Sequence, residues 1–399
     1  MKLLLLISLV PLHQKKLMRD YIQTMKKKIV CCAFVAWLLV GYSHGQTTQR
    51  SITVDELFQL VEQGSKALKV QTSEVGVAQR GLEEAKSRRL PDINVSLSAS
   101  YNGNVLMTDR DFSNAKGISQ PHFGNSFSLQ AEQVVYAGGA INAGIRMAEL
   151  QKEQSESGVE QTRCNQRFVA LGQYLDLYKL ANGIKVYDSN IALTHKLIAD
   201  IKAKQVQGMA LKNDVTRYEL QLEQLKLGKR KLQDQKAILN HQLCNTLMLQ
   251  GVEVVPEIEL DKAEGRNISE SQWQSDAISS SPMLRQSEIG MQMATQQLKL
   301  AKSELLPKVA IVAADNFDGP FVYDLPPIDK NFNIWYVGIG VKYSLSSLFK
   351  SNKTIRKAKQ QQILTRNAHA LANETLNNQV QQAYTLHQQA YIELETQQK

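Results

Sequence analysis

The feature that most constrains this chain is that it repeats itself. The string Ala-Lys-Ser, three residues, Pro, then alternating apolar and polar residues occurs at Ala85–Pro91 and again at Ala301–Pro307. Leu68/Leu284, Ala78/Ala294, Leu82/Leu298, Lys86/Lys302, Ser87/Ser303 and Leu90/Leu306 share the same offset of 216 residues. Further along, Ile145/Ile355, Arg146/Arg356, Ala148/Ala358 and Tyr174/Tyr384 align at an offset of 210. Self-similarity over such distances means one unit used twice. Each copy reads helix, short strand, loop, short strand, very long helix. That order suits a protein that crosses a membrane by strands and spans a compartment by helices.

Residues 1–45 read as a secretory signal peptide. Lys26, Lys27 and Lys28 precede an apolar run from Ile29 to Val40, and Ser43-His44-Gly45 offers small residues for cleavage. The run is too short to span a bilayer. Met25 stands just before the lysines, so residues 1–24 read as an upstream-start extension. The leader holds seven basic residues against Asp20, a net of +6. The formal charge of +9 therefore falls to +3 for the remainder, which removes the support for a nucleic-acid partner. Cys31 and Cys32 leave with the leader. Cys164 and Cys244 sit at heights on two antiparallel helices that miss each other by about 15 Å, too far for a disulfide.

Residues 53–90 read as a helix stopped by Pro91. Ile93, Val95, Leu97, Ala99 and Tyr101 then alternate with Asn94, Ser96, Ser98 and Ser100, the period of a strand. A polar loop follows over 102–122. A second strand places Phe127, Leu129 and Ala131 opposite Ser126, Ser128, Gln130 and Glu132, and ends at Gly138-Gly139. One helix is predicted over 140–206, with a turn at Gly208 and a return to about Leu249. Val215, Leu222, Leu225, Leu232, Leu239 and Leu243 give the return coiled-coil spacing, interrupted by Lys229 and Lys236, which are expected to face water or a polar lumen. Residues 251–270 read as a polar linker containing Pro256. The second copy supplies a helix over 272–306, a strand over 309–315, a loop over 316–333, a strand over 334–345 and a final helix from Lys350. Trp335 and Tyr343 stand where interfacial girdle residues would. The expected organisation is thus a leader (1–45), a first repeat (46–250), a linker (251–270) and a second repeat (271–399) truncated before its returning helix.

Four strands of roughly membrane-crossing length, apolar on one face and Ser, Asn, Gln or Gly on the other, fit lipid outside and water inside. In lipid every backbone donor needs a partner, so an open four-stranded sheet cannot span alone. The barrel must be shared between subunits. Val95, Leu97, Phe127, Leu129, Val337, Ile339 and Val341 are the expected lipid-facing residues.

At this point the chain resembles the TolC-type outer-membrane efflux protein family over essentially its whole mature length. The resemblance rests on Ala85 to Pro91 with the strand that follows, on Val135-Tyr136-Ala137-Gly138-Gly139, and on Gln207-Gly208-Met209-Ala210-Leu211-Lys212-Asn213-Asp214-Val215. It implies a mainly α protein with a transmembrane β part. Long antiparallel helical hairpins would form a periplasmic α-barrel, and four strands per protomer a shared trimeric β-barrel. It also implies an outer-membrane channel of a tripartite efflux or type I secretion system, a passive duct for small molecules or polypeptides. Implied partners are two further copies in a homotrimer, outer-membrane lipid, a periplasmic adaptor docking at the tip Gly208, Leu211 and Asp214, and an inner-membrane pump of RND, ABC or MFS type.

Other readings are weaker. Gly138 to Gly144 fits neither phosphate-loop spacing. His122, His195 and His241 are scattered without ligand spacing, so no metal or cofactor is expected. Asp176, Asp200 and Asp234 read as solvated helix positions, and no motif joins a nucleophile to a base, so no catalytic residue is expected. A soluble sheet with one wet face would give the same alternation in any single strand. The alternative function is a soluble periplasmic coiled-coil adaptor or structural protein, which would carry one hairpin and no paired membrane-length strands.

Overall fold

The computed structural model describes residues 48–258, 268–322 and 327–398. The leader and the middle of the 251–270 segment lie outside them. The chain forms two compact units. One holds the residues up to Glu56 with Gln173–Glu257, the other Leu57–Gly172 with the residues from Ile258 on.

In the first unit, strand β1 (Thr48–Ile52) pairs in parallel with a strand at Val252–Pro256, labelled β6 by its place in the chain. The 251–270 segment is therefore not simply a linker. Its apolar Val252, Val254 and Val255 belong to a two-stranded ribbon, and Val254 and Ile52 are fully buried. A parallel pair joins residues far apart in sequence, which a short-range pattern does not reveal. Side chains from the helices hold the ribbon, Cys244 Sγ donating to Val252 O at 3.3 Å among them. The Asn240 amide donates to Val252 O (2.9 Å) and accepts from Val254 N (2.8 Å), in the manner of a neighbouring strand. The Lys236 ammonium meets Glu253 at 2.6 Å. The Tyr174 hydroxyl lies 2.7 Å from Ile52 O and accepts from Glu257 N at 2.9 Å.

Helix α1 (Val54–Gly64) enters the second unit at Leu57 and is followed there by α2 (Lys66–Ser87). The single helix expected over 53–90 is thus broken at Ser65, whose extended backbone (φ −60°, ψ 115°) and side-chain oxygen, accepting from Leu68 N, start a new helix. Strand β2 (Asp92–Tyr101) follows, then a small hairpin of β3 (Val105–Met107) and β4 (Lys116–Ile118) inside the segment expected to be loop. Strand β5 (Phe123–Ala137) leads into α3 (Ala140–Val206), which runs unbroken for 67 residues and passes from this unit into the first. The first unit also holds α4 (Lys212–Leu247).

In the second copy the helix expected over 272–306 is again two: α5 (Glu270–Ser280) and α6 (Pro282–Ser303). The break falls at Ser281, the repeat counterpart of Ser65, and Ser281 accepts from Leu284 N in the same way. Strand β7 (Lys308–Gly319), strand β8 (Phe332–Lys342) and helix α7 (Ser347–Gln398) complete the chain.

The repeat identities pack as two equivalent small cores. Leu82 and Ala85 of α2 meet Ile145 of α3, with Ile141 and Ala148 against them. Ala301 of α6 meets Ile355 and Ala358 of α7, with Leu298 against them. Alanine at these crossings lets the helices approach closely. Gly138 serves a similar end. Its φ of +61° suits glycine, and a Cβ there would lie 2.8 Å from Ser303 O and 2.9 Å from Leu306 Cβ.

Candidate functional site

Strands β2, β5, β7 and β8 form one antiparallel sheet in that order, with β2 and β8 at its open edges. The strands are 10, 15, 12 and 11 residues long. Residues directly opposite one another share a face, so register decides which side each occupies. Val95 lies opposite Leu129, Leu97 opposite Phe127, Phe127 opposite Phe317, and Ile339 and Val341 opposite Ile311 and Val309. Val337 lies opposite Ala313, itself opposite Ala131. All seven residues named from the sequence therefore stand on a single face. They are exposed, Leu97 at 79% and Ile339 at 76%. At the loop end this face carries Tyr101, Phe123, Phe127, Phe317 and Trp335.

The opposite face carries Asn94, Ser96, Ser98 and Ser100 on β2, Ser126, Ser128 and Gln130 on β5, and Gly338 and Gly340 on β8. Ser128 donates to Asn316 across the β5–β7 junction at 2.6 Å. The apolar face is not pure. Asp315 stands on it between Leu129 and Trp335, and one of its carboxylate oxygens is buried without a hydrogen bond. The register slips once, between Val134 and Tyr136, leaving Val135 as a bulge before the strand exit.

The helical hairpin tip is built by its polar residues. Gly208 takes φ +76°, and Met209 N donates back to Lys204 O at 2.9 Å, closing α3. Leu211 is extended before α4, and its N–H donates to the Asp214 carboxylate at 2.9 Å. Gly208 and Asp214 thus shape the turn. Leu211 (72% exposed) presents an apolar side chain, joined by Val206 (90%) and Met209 (67%), which the sequence reading did not single out. Behind the tip, Lys202 and Glu219 pair at 2.7 Å. The two lysines that interrupt the α4 seam do not simply face water. Lys229 pairs with Asp188 at 2.6 Å and Lys236 with Glu253, so each joins its helix to a neighbouring element.

Both remaining thiols are free; Cys164 is exposed, while burial pushes the Cys244 thiol upward. Among the described residues no group of three His, Cys, Asp or Glu could hold a metal, and no helix is long and apolar enough to cross a membrane.

Residues 273–399 match the family described as outer membrane efflux protein. No curated protein matches the chain. Among solved structures, that of CusC is similar with a TM-score of 0.68 at 14% identity, over 90% of this chain and 81% of the other. The outer membrane protein VceC from Vibrio cholerae is similar with a TM-score of 0.63 at 14% identity, over 86% and 79%. The open state of the Neisseria gonorrhoeae MtrE outer membrane channel gives 0.65 at 12% identity, over 86% and 76%. Residues 273–399 thus match the outer membrane efflux protein family, and the chain has the fold of these outer-membrane channels.

Proposed function

We propose that this chain is one subunit of a passive outer-membrane exit duct. Its sheet is one sector of a barrel closed by three copies, and its helices line the periplasmic passage. The observation that carries this reading is the register. Four strands of membrane-crossing length put a continuous apolar row on one face, with aromatics at its loop end, while the other face carries Ser, Asn and Gln on β2 and β5 and Gly338 and Gly340 on β8, beside Ala310, Val312, Ala314, Ile334 and Tyr336. Val95, Leu97, Phe127, Leu129, Val337, Ile339 and Val341 then meet lipid, and the Ser-rich face meets water. The exposed trio Val206, Met209 and Leu211 is the surface on which a periplasmic adaptor docks, and through that adaptor an inner-membrane pump of RND, ABC or MFS type delivers small molecules or polypeptides. A soluble adaptor is not favoured, because a lone adaptor hairpin has no use for an exposed apolar sheet face of this extent.

The test is to express the full chain, separate outer membrane from soluble fractions, and size the detergent-extracted protein by light scattering. The expected result is an outer-membrane species of three chains that conducts ions in a planar bilayer. A soluble single chain in buffer without detergent would refute the reading.

A further inference from the structure

The two hairpins of the sheet are equivalent in the repeat, and on the face away from the apolar row they have diverged. Asn94, Ser96 and Ser98 of β2 correspond to Ala310, Val312 and Ala314 of β7. Gln130, Ser128 and Ser126 of β5 correspond to Gly340, Gly338 and Tyr336 of β8. The rung at the helix end is Asp92 opposite Glu132 in the first copy and Lys308 opposite Lys342 in the second. One copy therefore sets hydroxyls and amides above two acids, and the other sets small apolar residues above two bases. The same register carries both, so the fold demands neither. The second copy's face is also shaped. Gly340 lies opposite Ala310 and Gly338 opposite Val312, with exposed Tyr336 and Ile334 towards the loop end. Neither glycine has a positive φ. A Cβ at Gly338 would meet nothing within 4 Å, and one at Gly340 only Val312 Cγ1 at 3.8 Å and Ala310 O at 4.0 Å. Packing does not call for glycine here, and what the missing side chains leave is a trough; glycine inside a strand often marks a place where a ligand comes close.

At its helix end the trough opens into a cleft of about 740 Å³ lined by Lys308, Lys342 and Lys350. Among the described residues none of these lysines is in an ion pair. Two carboxylates share the cleft. Glu304 accepts from the Ser351 hydroxyl at 3.3 Å, and Glu132 borders the trough four rungs above the lysine rung. Three ammonium groups against two carboxylates leave a net charge of +1. Like charges directly opposite on a sheet repel, and an anion between Lys308 and Lys342 removes that cost. Resting on the exit-duct reading above, which makes this face the wet lumen, we infer that the second hairpin holds a cargo site for amphipathic organic anions. A carboxylate, sulfonate or phosphate head is held by Lys308, Lys342 and Lys350, and the apolar body lies along the trough towards Tyr336. An apolar wall with a few placed charges is the usual build of a small-molecule site, and the cleft has the usual size. The equivalent face of the first copy offers such a molecule no apolar floor, and its two acids repel the head. The site is open on one side, which suits cargo that must leave as readily as it enters.

The test is equilibrium dialysis of naphthalene-2-sulfonate against the full chain in lipid nanodiscs, with empty nanodiscs to subtract uptake by lipid, or in plain buffer if the chain proves soluble. One chain lines the whole cleft, so dialysis reads the site whether or not copies assemble, while light scattering and bilayer conductance read the duct separately. The expected result is saturable binding with a Kd of about 0.01–1 mM, ordinary for a ligand of this size. Binding of 2-naphthyltrimethylammonium, which keeps the body and reverses the head, should be about tenfold weaker or more, as should that of inorganic sulfate, which lacks the body. Lys308→Gln and Lys342→Gln should each weaken binding of the sulfonate about two- to five-fold. Gly340→Val suits a strand and fills the trough, and should weaken it about fourfold or more. Asp92→Asn, at the equivalent rung of the first copy, should change nothing. No saturable binding, equal binding of the ammonium compound, or an affinity that survives both lysine changes combined with Gly340→Val would overturn the inference. Any of these in a conducting species of three chains leaves the channel reading intact. The expected binding in a chain that stays single and soluble upholds the anion site and fails the duct reading instead.

Discussion

Tyr174 is fully buried, and its hydroxyl is the point where the β1–β6 ribbon is fastened to α3. A parallel ribbon of five rungs has little stability of its own. The phenol oxygen accepts from Glu257 N and shares its proton between Ile52 O (2.7 Å) and Glu257 O (2.9 Å). Tyr174→Phe keeps the ring in place and removes that exchange of hydrogen bonds. At a net worth of about 0.5–1.5 kcal/mol per bond, losing one donated and one accepted bond should weaken the ribbon by about 1–3 kcal/mol. Opening that is cheaper by this amount speeds amide exchange by a factor of about 5–150. Hydrogen–deuterium exchange on peptides covering 48–52 and 252–257, with the protein in detergent, reads this directly. Peptides of β5 should be unchanged, and Tyr384→Phe, the repeat counterpart in the other unit, should leave the ribbon as it is. A rise below twofold in the ribbon peptides, or an equal rise in the sheet, would refute the claim that this hydroxyl is the fastening.

Further outcomes follow from neighbouring features. Gly138→Ala should destabilise the protein by about 1–2 kcal/mol or more in a thermal melt. It forces a side chain into a left-handed backbone and against Ser303 O, whereas Gly103→Ala, with open space around it, should not. Acidification should loosen the same ribbon. Lys236, and then Gln49, hold the Glu253 carboxyl below its ordinary value, so the stability it contributes is present above the unfolded pKa of about 4.3. It is lost as pH falls through the lower folded value, and ribbon exchange corrected for intrinsic rate should rise there but not between pH 6 and 8. Replacing Val206, Met209 and Leu211 together by Ser should leave outer-membrane assembly unchanged and abolish pull-down of a periplasmic adaptor. Unchanged pull-down would remove the tip from the docking surface. A fluorescent maleimide should label Cys164 in the intact protein and reach Cys244 only after unfolding; comparable early labelling of both would contradict the packing around Cys244.

Much of the sheet and of the long helices could be read from the residues. Period-2 alternation from Ile93 to Tyr101 and around Phe127 reports a sheet with two different faces, and Gly138-Gly139 and Gly208 mark real reversals. The breaks at Ser65 and Ser281 were missed because a serine inside an apolar 3–4 pattern also suits a helix interior. Their shared offset of 216 residues was the available signal. The ribbon was invisible because its two halves are joined by parallel pairing across the chain, and strands of five residues, TQRSI and VEVVP, are too short to sustain a readable alternation. At the tip, Gly208 was legible as the turn, whereas Asp214 entered only as a docking residue and its bond to Leu211 N was not anticipated; the side chains that reach solvent, Val206 and Met209, have no pattern that separates them from the seam behind. Asp315 could not be anticipated among the apolar-face positions, because its side depends on pairing with Leu129 and Trp335.

The ribbon also sets a clock. Thr48 finds its partner at Val252, and Glu257 supplies the last bond to Ile52. Strand β1 of the nascent polypeptide must therefore wait unpaired while some two hundred more residues are made, roughly 10–40 s at ordinary elongation rates. Thermodynamically the loop is cheap to close, since its entropy grows only logarithmically with length. Kinetically it is late, so holdases that shield emerging segments have a long task at β1.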